Sequence, residues 1–220
     1  MAGLRYLTLR KAVIATAQRL DPLGIDRGTS GNVSVRAGNG LLITPTGVPY
    51  DALTPGRIVW MDLDGRYEGD WLPSSEWRFH CDILRSRPDV NAIVHTHTVH
   101  ATALACHGRG IPAFHYMVAA GGGQDIRCAP YATYGTAELS ANAVRALEGR
   151  RACLLANHGL IACGYTLNEA LALAVEVEKL SAMYIKALQL GPPVELSDAE
   201  MENVLQRFES YGQNSGRKRR

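Results

Sequence analysis

The sequence is short of the features that mark several large classes of protein. Its five cysteines show no C-x-x-C spacing and several lie in apolar runs, which argues against a thioredoxin-type or zinc-ribbon motif. Buried thiols of this kind indicate a reducing, cytoplasmic compartment. No apolar run reaches the length of a membrane span, and the amino terminus lacks the apolar core of a signal peptide. The formal net charge of only +2 gives no reason to expect nucleic acid or a membrane as a partner.

The 220 residues suit one globular domain, which we place at 1–208, followed by a basic tail at 209–220. Helical and strand periodicities alternate along the chain, and short turns join several strands. The pattern therefore predicts an α/β fold with a mixed sheet in a layered arrangement. The predicted helices are 8–20 (with Thr8 as N-cap), 73–85 (entered through Ser74 or Ser75), 98–106, 136–147, 166–190 and 197–208, and the predicted strands are 32–36, 41–44, 58–62, 91–97, 152–156 and 160–163.

Three of the seven histidines fall in the stretch HTHTVH, at His95, His97 and His100, directly after an apolar run. On a strand, His95 and His97 point to the same face, with their Cα atoms about 6.6 Å apart. Two imidazoles at that spacing can bind one metal ion. Two unrelated polar residues at a strand end explain this motif alone equally well. His100 turns away from the other two if a helix follows His97.

A third metal ligand must come from another part of the chain. His158 follows the apolar strand ACLLA, and Gly159 after it permits a sharp turn. Glu76 near the start of the second helix shares a helix face with His80, so Glu76 is a candidate ligand or general base and His80 a candidate ligand. Three histidines around one ion leave a position open, which is the pattern of catalytic rather than structural zinc.

Three short turns offer hydrogen-bond donors to an anion. They are GTSGN at 28–32, PTG with Thr46 and Gly47, and PSSE with Ser74 and Ser75 at a predicted helix start. Hydroxyl groups and backbone N–H groups at a helix amino terminus bind phosphate well. None of the turns has the Gly-Lys-Ser/Thr ending of a nucleotide-binding P-loop. Beside the metal candidates, they predict a small phosphorylated substrate.

Six segments in this order, GTSGN, PTG, SSEWRFH, HTHTVHATA, HYMVAAGGG and ANHGL, resemble the class II aldolase/adducin family. The resemblance runs from about Leu7 to Arg207, and six motifs in register over one domain are highly specific. It implies a three-layer α/β/α sandwich around a mixed, mostly antiparallel sheet. It also implies a C4 homotetramer with active sites at the subunit interfaces.

The resemblance assigns roles to individual residues. It makes His95, His97 and His158 the ligands of a zinc ion, with Mn²⁺ or Co²⁺ as other candidates. It makes Glu76 the acid/base group, which also ligates zinc in the resting enzyme, and gives His80 no ligand role. The implied phosphate contacts are Asn32, Thr46, Gly47, Ser74 and Ser75, with Gly31 as a weaker candidate.

Three tyrosines complete the implied site. Tyr116 matches a catalytic tyrosine that reaches a neighbouring subunit's site, while Tyr134 and Tyr211 are candidates for the aldehyde side. The implied reaction cleaves a ketose 1-phosphate, such as L-fuculose 1-phosphate or a 5-deoxypentulose or 5-methylthioribulose 1-phosphate, to dihydroxyacetone phosphate and an aldehyde. Tyr116 handles the proton of the departing aldehyde oxygen, and Glu76 returns a proton to the enediolate. Zinc supplies the positive charge that polarises the carbonyl and stabilises the oxyanion.

Other activities are known on this scaffold. A 4-epimerase of L-ribulose 5-phosphate would carry Asp in place of Glu76, and a dehydratase of methylthioribulose 1-phosphate would lack the HYMVAAGGG segment. Adducin-like assembly modules keep the fold and lose the zinc ligands. Glu76, Tyr116 and the three histidines together favour the aldolase.

Overall fold

The computed structural model describes residues 4–209. Within them, the strands form one eight-stranded sheet. The strands are β1 (Asn32–Ala37), β2 (Gly40–Ile43), β3 (Val59–Asp62), β4 (Tyr67–Glu68), β5 (Ala92–Thr96), β6 (Arg127–Ala129), β7 (Ala152–Leu155) and β8 (Gly159–Gly164). Their order across the sheet is β4-β3-β2-β1-β5-β8-β7-β6. All neighbours pair antiparallel except β6 and β7, which are parallel. The predicted mixed, mostly antiparallel sheet is confirmed.

Helices cover both faces of the sheet. They are α1 (Leu7–Ala17), α2 (Trp77–Ser86), α3 (Val99–Cys106), α4 (Ala137–Ala146), α5 (Leu167–Gln189) and α6 (Asp198–Glu209), with 3₁₀ turns at Tyr50–Ala52 and Tyr116–Gly121. Helices α1, α3 and α5 share one hydrophobic core with the sheet, and α2 and α4 form a second core on the opposite face. The three-layer α/β/α sandwich is therefore confirmed.

The alternation of side chains along β1 and β5 decides what each face carries. Val33 and Val35 of β1 enter the core under α1 and α5, so Asn32 and Ser34 point to the α2 face. In β5, Val94 faces the α5 side while His95 faces α2, where its ring lies edge-on to that of Phe79. The α2 face of the sheet thus carries buried polar groups beside its apolar core.

Two helix starts differ from the prediction. Helix α1 begins at Leu7 after Tyr6, which is left-handed and gives no side-chain cap, so Thr8 lies inside the helix and is not its N-cap. Helix α2 begins only at Trp77, and the Ser74 hydroxyl accepts a hydrogen bond of 3.3 Å from the Glu76 N–H. The serines therefore form the approach to α2 rather than its first turn.

No helix within residues 4–209 is both long and apolar enough to cross a bilayer. Almost all of the predicted basic tail, with Tyr211, lies outside the described residues. The domain limits at 1–208 and 209–220 therefore stay a prediction.

Candidate active site

Four side chains from three parts of the chain meet at one end of the sheet. His95 lies in β5, and His97 directly follows that strand. Strand β8 runs antiparallel beside β5, so the tight hairpin from β7 to β8 carries His158 to the same edge. Glu76 precedes the first residue of α2. Ligand atoms of the four side chains all lie within 4.8 Å of one another, which brings the sequence-predicted metal candidates together.

The distances in this cluster suit a single ion. Nε2 of His95 and Nε2 of His97 are 3.0 Å apart. Glu76 bridges two of the histidines, with Oε2 3.1 Å from Nε2 of His95 and Oε1 3.1 Å from Nε2 of His158. Four ligands arranged tetrahedrally at about 2.1 Å from a zinc ion would be about 3.4 Å apart. The three short separations are within about 0.4 Å of that value, so small side-chain adjustments would let the cluster hold the ion.

Two features show that the donor set fits a divalent cation. Nδ1 of His95 lies 2.8 Å from the carbonyl oxygen of Leu160. A carbonyl only accepts, so Nδ1 carries a proton and Nε2 is the metal-binding atom, directed into the cluster. Oε1 of Glu76 is buried and accepts no well-aligned hydrogen bond from the described residues. A cation among the four side chains would satisfy that carboxylate oxygen.

The protonation states also suit a metal. Burial opposes ionisation of Glu76, but the charge of His95 and the nearby imidazoles of His158 and His95 hold the pKa of Glu76 well below its usual value. Burial and the charges of His95 and His158 lower the pKa of His97 to about 4. Burial also opposes the charged form of His95, but Glu76 raises its pKa, so a proton competes with a metal for Nε2. Metal binding should therefore weaken as the pH falls.

Gly159 is needed for a reason that differs from the predicted one. The left-handed residue of the β7–β8 hairpin is Asn157, with φ of 54°. A Cβ atom on Gly159 would overlap the carbonyl oxygen of Thr96 and lie 2.7 Å from Cδ2 of His97. Gly159 thus allows β8 to approach His97 closely and does not make the turn itself.

Two of the predicted phosphate-binding turns lie side by side. The N–H of Ser74 donates to the carbonyl of Thr44 at 3.0 Å, and the N–H of Thr46 donates to the carbonyl of Leu72 at 3.2 Å. An antiparallel bridge between Pro45 and Pro73 joins the same segments. Ser74 is buried, whereas three of the predicted phosphate contacts are exposed: Thr46, Gly47 and Ser75.

Gly31 and Asn32 lie against the histidines. Asn32 is opposite His95 in the sheet register and is buried. Its Nδ2 donates to Oε2 of Glu76 at 3.1 Å. A Cβ atom on Gly31 would lie 2.7 Å from the Asp26 carboxylate and equally close to the carbonyl of His95, so only glycine fits there. Both residues are beside the cluster, and their predicted contact with phosphate stays a prediction.

A cavity of about 330 Å³ opens over the cluster. Ser75, Glu76, His97 and His158 form one side of it, and Tyr134, the predicted aldehyde-side residue, borders it. The remaining lining residues, which the sequence analysis did not single out, are Ser30, Tyr131, Ala132 and Asn157. The cavity can therefore hold a small ligand between the histidines and the tyrosines.

Tyr116 does not join the cluster within this chain. It begins the 3₁₀ turn Tyr116–Gly121, is 51% exposed, and is not among the residues that line the cavity. This placement agrees with the expectation that it acts in a neighbouring subunit, which stays a prediction.

Two further histidines were weighed as ligands and lie outside the cluster. His100 in α3 places Nδ1 2.7 Å from Oε1 of Glu178 in α5. The same carboxylate accepts from the N–H groups of His100 and Ala101 at 3.0 and 2.9 Å, so it caps α3. His80 is fully buried. Its Nδ1 lies 2.7 Å from the hydroxyl of Ser34, and its Nε2 lies 2.5 Å from Oδ1 of Asn32.

Sequence reasoning missed Asp26, which holds the edge of the site together. Its carboxylate accepts hydrogen bonds from the Tyr50 hydroxyl at 2.6 Å, the Gly31 N–H at 3.0 Å and the His97 N–H at 3.3 Å. Burial and the charge of Asp26 raise the pKa of Tyr50, which keeps that donor protonated. A single acidic residue in the loop before β1 carries no recognisable pattern, so only the fold shows this role.

Comparison with known proteins places this site in a family. The profile described as Class II Aldolase and Adducin N-terminal domain matches residues 11–185. Over 215 residues, the chain is 56% identical to the 5-methylthioribulose-1-phosphate/5-deoxyribulose-1-phosphate aldolase of Rhodospirillum rubrum (98% of this chain, 97% of the relative). Over 205 residues, it is 53% identical to the L-fuculose phosphate aldolase of Escherichia coli K12 (93% of this chain, 95% of the relative).

The solved structures agree with the sequence comparison. A structure described as L-fuculose 1-phosphate aldolase superposes with a TM-score of 0.88 at 43% identity, covering 91% of this chain and 95% of that one. The fold is therefore that of the class II aldolases. The chain belongs to the class II aldolase and adducin family. The predicted enzyme class, a lyase of the aldolase type, is confirmed by these relatives.

Proposed function

We propose that the protein is a metal-dependent aldolase that cleaves a ketose 1-phosphate to dihydroxyacetone phosphate and an aldehyde. The observation that carries the proposal is the convergence of Glu76 with three histidines beneath a cavity bordered by Ser75. The names of the two relatives supply the substrate class: L-fuculose 1-phosphate, or a 5-deoxypentulose or 5-methylthioribulose 1-phosphate.

The proposed metal is zinc, held by His95, His97 and His158 with Glu76 as a fourth ligand. Imidazole nitrogens with a carboxylate suit zinc, and the same donors accept Mn²⁺ or Co²⁺. A bound zinc ion supplies positive charge that polarises a carbonyl and stabilises an oxyanion. Burial of the cluster under the cavity strengthens that effect because little water screens it.

Glu76 has the environment of a proton-transfer group. Its Oε2 is anchored by Asn32, whereas its Oε1 has no well-aligned hydrogen bond within residues 4–209. The anchored oxygen fixes the orientation of the carboxylate. The other is the one we assign to proton transfer at substrate C3.

The proposed phosphate site is the pair of turns beside the cavity. Ser75 lines the cavity, and its exposed hydroxyl precedes α2, where backbone N–H groups favour an anion. Thr46 and Gly47 stand on the turn paired with this segment. A phosphate bound there would place the carbon chain of the substrate across the histidines.

We also propose a C4 homotetramer whose sites lie between subunits. Tyr134 at the cavity is 66% exposed and Tyr116 is 51% exposed, so both rings are accessible to a neighbouring subunit. Tyr116 of the partner subunit would then accept the proton of the C4 hydroxyl as that oxygen becomes the aldehyde carbonyl. The cytoplasmic location stays a prediction.

A substrate panel tests the proposal. Zinc-loaded protein is incubated with L-fuculose 1-phosphate, 5-deoxyribulose 1-phosphate and 5-methylthioribulose 1-phosphate, and dihydroxyacetone phosphate is measured by a coupled assay. L-Ribulose 5-phosphate is included as the substrate of an epimerase. Release from at least one ketose 1-phosphate is expected. Epimerisation of the pentulose 5-phosphate, or loss of water from the methylthio substrate without cleavage, would contradict the aldolase.

Replacing the carboxylate tests the role of Glu76. Glu76→Gln removes the charge and the proton-accepting oxygen but keeps the shape, so we expect bound zinc to remain and turnover to fall by about 100-fold or more. Glu178→Gln changes a part-buried carboxylate that caps α3, and should leave turnover at the wild-type level. Wild-type turnover in Glu76→Gln would remove the assigned role.

A further inference from the structure

A series of buried polar groups leads from Glu76 into the interior between β1 and α2. Oε2 of Glu76 accepts from Nδ2 of Asn32 at 3.1 Å. Oδ1 of Asn32 lies 2.5 Å from Nε2 of His80, and Nδ1 of His80 lies 2.7 Å from the Ser34 hydroxyl. His80 and Ser34 are fully buried, and Asn32 is 2% exposed. Neither His80 nor Ser34 lines the cavity or belongs to the metal cluster.

This series of hydrogen-bonded side chains follows from the two-residue period of strand β1 and the roughly four-residue period of helix α2. Asn32 and Ser34 are two residues apart on β1, so both point to the α2 face. Glu76 and His80 are four residues apart at the start of α2 and share one side of it. The His80 ring, stacked on Phe79 at 4.6 Å between centroids, therefore fits between the two β1 side chains.

The carboxylate of Glu76 at one end of the series fixes the direction of every hydrogen bond in it. An ionised carboxylate only accepts, so Asn32 must turn its NH₂ group to Glu76 and its carbonyl oxygen to His80. His80 must then carry its proton on Nε2, which leaves Nδ1 as an acceptor for the Ser34 hydroxyl. The other carboxamide orientation would set two acceptors, Oδ1 and Oε2, against each other.

We propose that His80 and Ser34 are positioning residues that lock the Asn32 carboxamide, so that Oε2 of Glu76 is anchored and Oε1 is held beside His158 for proton transfer. The inference rests on the proposed role of Glu76.

Burial supports the lock. Burial and the charge of His95 lower the pKa of His80 to about 3, although Glu76 opposes the shift. His80 is thus neutral at working pH and keeps one tautomer. A charged imidazolium would donate from both nitrogens and leave the Ser34 hydroxyl without an acceptor.

The first test compares two substitutions of His80 in zinc-loaded protein. His80→Leu removes the donor to Asn32, so kcat should fall by about 10- to 100-fold, more than KM rises, with bound zinc unchanged. In His80→Gln, an amide nitrogen can reach Oδ1 of Asn32, and most of the kcat should return. Unchanged kcat in His80→Leu, or a loss that His80→Gln does not reduce, would overturn the proposal.

A double-substitution cycle asks whether the effect runs through Glu76. In the Glu76→Gln background, His80→Leu should lower the residual turnover no further, because the group that it positions is already lost. A further drop equal to that in the wild-type background would overturn the proposal. Wild-type turnover in Glu76→Gln alone would instead refute the proposed function of Glu76.

The series of hydrogen bonds from Glu76 to Ser34 can also be tested by a spectroscopic measurement that does not depend on activity. In ¹⁵N-histidine-labelled, zinc-loaded wild-type protein, the His80 signal should show a neutral ring protonated at Nε2. The His80 signal is assigned by its absence from the spectrum of the His80→Gln variant. Ser34→Ala should shift the Nδ1 resonance, whereas Ser181→Ala, which removes another buried serine hydroxyl, should not. A ring protonated at Nδ1 would overturn the proposal.

Discussion

Gly159→Ala should weaken metal binding although it replaces none of the proposed ligands. A Cβ atom at this position would overlap the Thr96 carbonyl oxygen and lie 2.7 Å from Cδ2 of His97. Since ordinary contact begins at 3.4 Å, the His97 ring must retreat by about 0.7 Å or the β8 backbone must move. Only a backbone shift relieves the overlap with the Thr96 carbonyl, so we expect β8 to move away from β5 near the Thr96–Leu160 pair and the His97 ring to be displaced as well.

The size of the effect follows from that displacement. Metal–ligand distances tolerate about 0.2 Å, and disturbing the residues that orient a ligand costs about 10- to 100-fold in metal affinity. Overpacking in a well-packed interior costs about 1–3 kcal/mol of the free energy of unfolding. For a chain of this size, that corresponds to a lower Tm by about 2–12 °C.

The assay measures zinc affinity by competition with a chromogenic chelator, together with Tm and turnover at saturating zinc. Gly56→Ala is the matched control, because a Cβ atom there meets nothing within 4 Å and its φ is not in the left-handed region. Gly159→Ala with the zinc affinity and Tm of the wild type would refute the reasoning. An equal loss in Gly56→Ala would show that the effect is not specific to His97.

Three further outcomes are expected. His158→Ala should lose its zinc while His100→Ala, whose ring pairs with Glu178, keeps it, as metal analysis after gel filtration will show. Under native conditions only exposed Cys106 should react quickly with a thiol reagent, because burial raises the pKa of the other four thiols: that of Cys81 and Cys163 to about 12, that of half-buried Cys128 to about 11, and that of Cys153 well above its usual value. In metal-free protein the pKa of buried His80 is about 3, against about 6.5 in the unfolded chain. Between these values the unfolded chain binds a proton at His80 and the folded protein does not. The free energy of unfolding should therefore fall by up to about 1.4 kcal/mol per pH unit below pH 6.5, and urea titrations of His80→Gln should lack that component.

The sequence predicted the parts of the fold that carry a clear period. Helices α3, α4 and α5 and strands β5, β7 and β8 lie within a few residues of their predicted limits. Strands β4 and β6, of two and three residues, were missed because a period cannot be recognised over so short a length. The first turn of α2 was predicted too early, because Ser74 and Ser75, residue types that favour a helix N-cap, lie in the loop beside the site and not in the helix.

The metal candidates could be proposed from the sequence because histidine and glutamate are themselves metal-ligating residue types. His95 and His97 form a local motif, and the family resemblance joins His158 and Glu76 to them. Asp26, Ser34 and Asn157 were not predictable, because each acts through a backbone N–H, a buried ring or a left-handed φ that only the assembled sheet brings into contact. The reason for Gly159 was misjudged on the same ground, since its neighbour His97 follows a different strand, β5.

The central claim is that a metal ion held by Glu76 and three histidines enables cleavage of a ketose 1-phosphate. The most direct test is to strip the protein with a chelator, restore zinc in steps, and measure bound zinc and release of dihydroxyacetone phosphate in the same samples. Turnover should be absent without metal and rise in proportion to bound zinc, up to one ion per chain. Undiminished cleavage by the metal-free protein, or zinc binding that restores none, would contradict it.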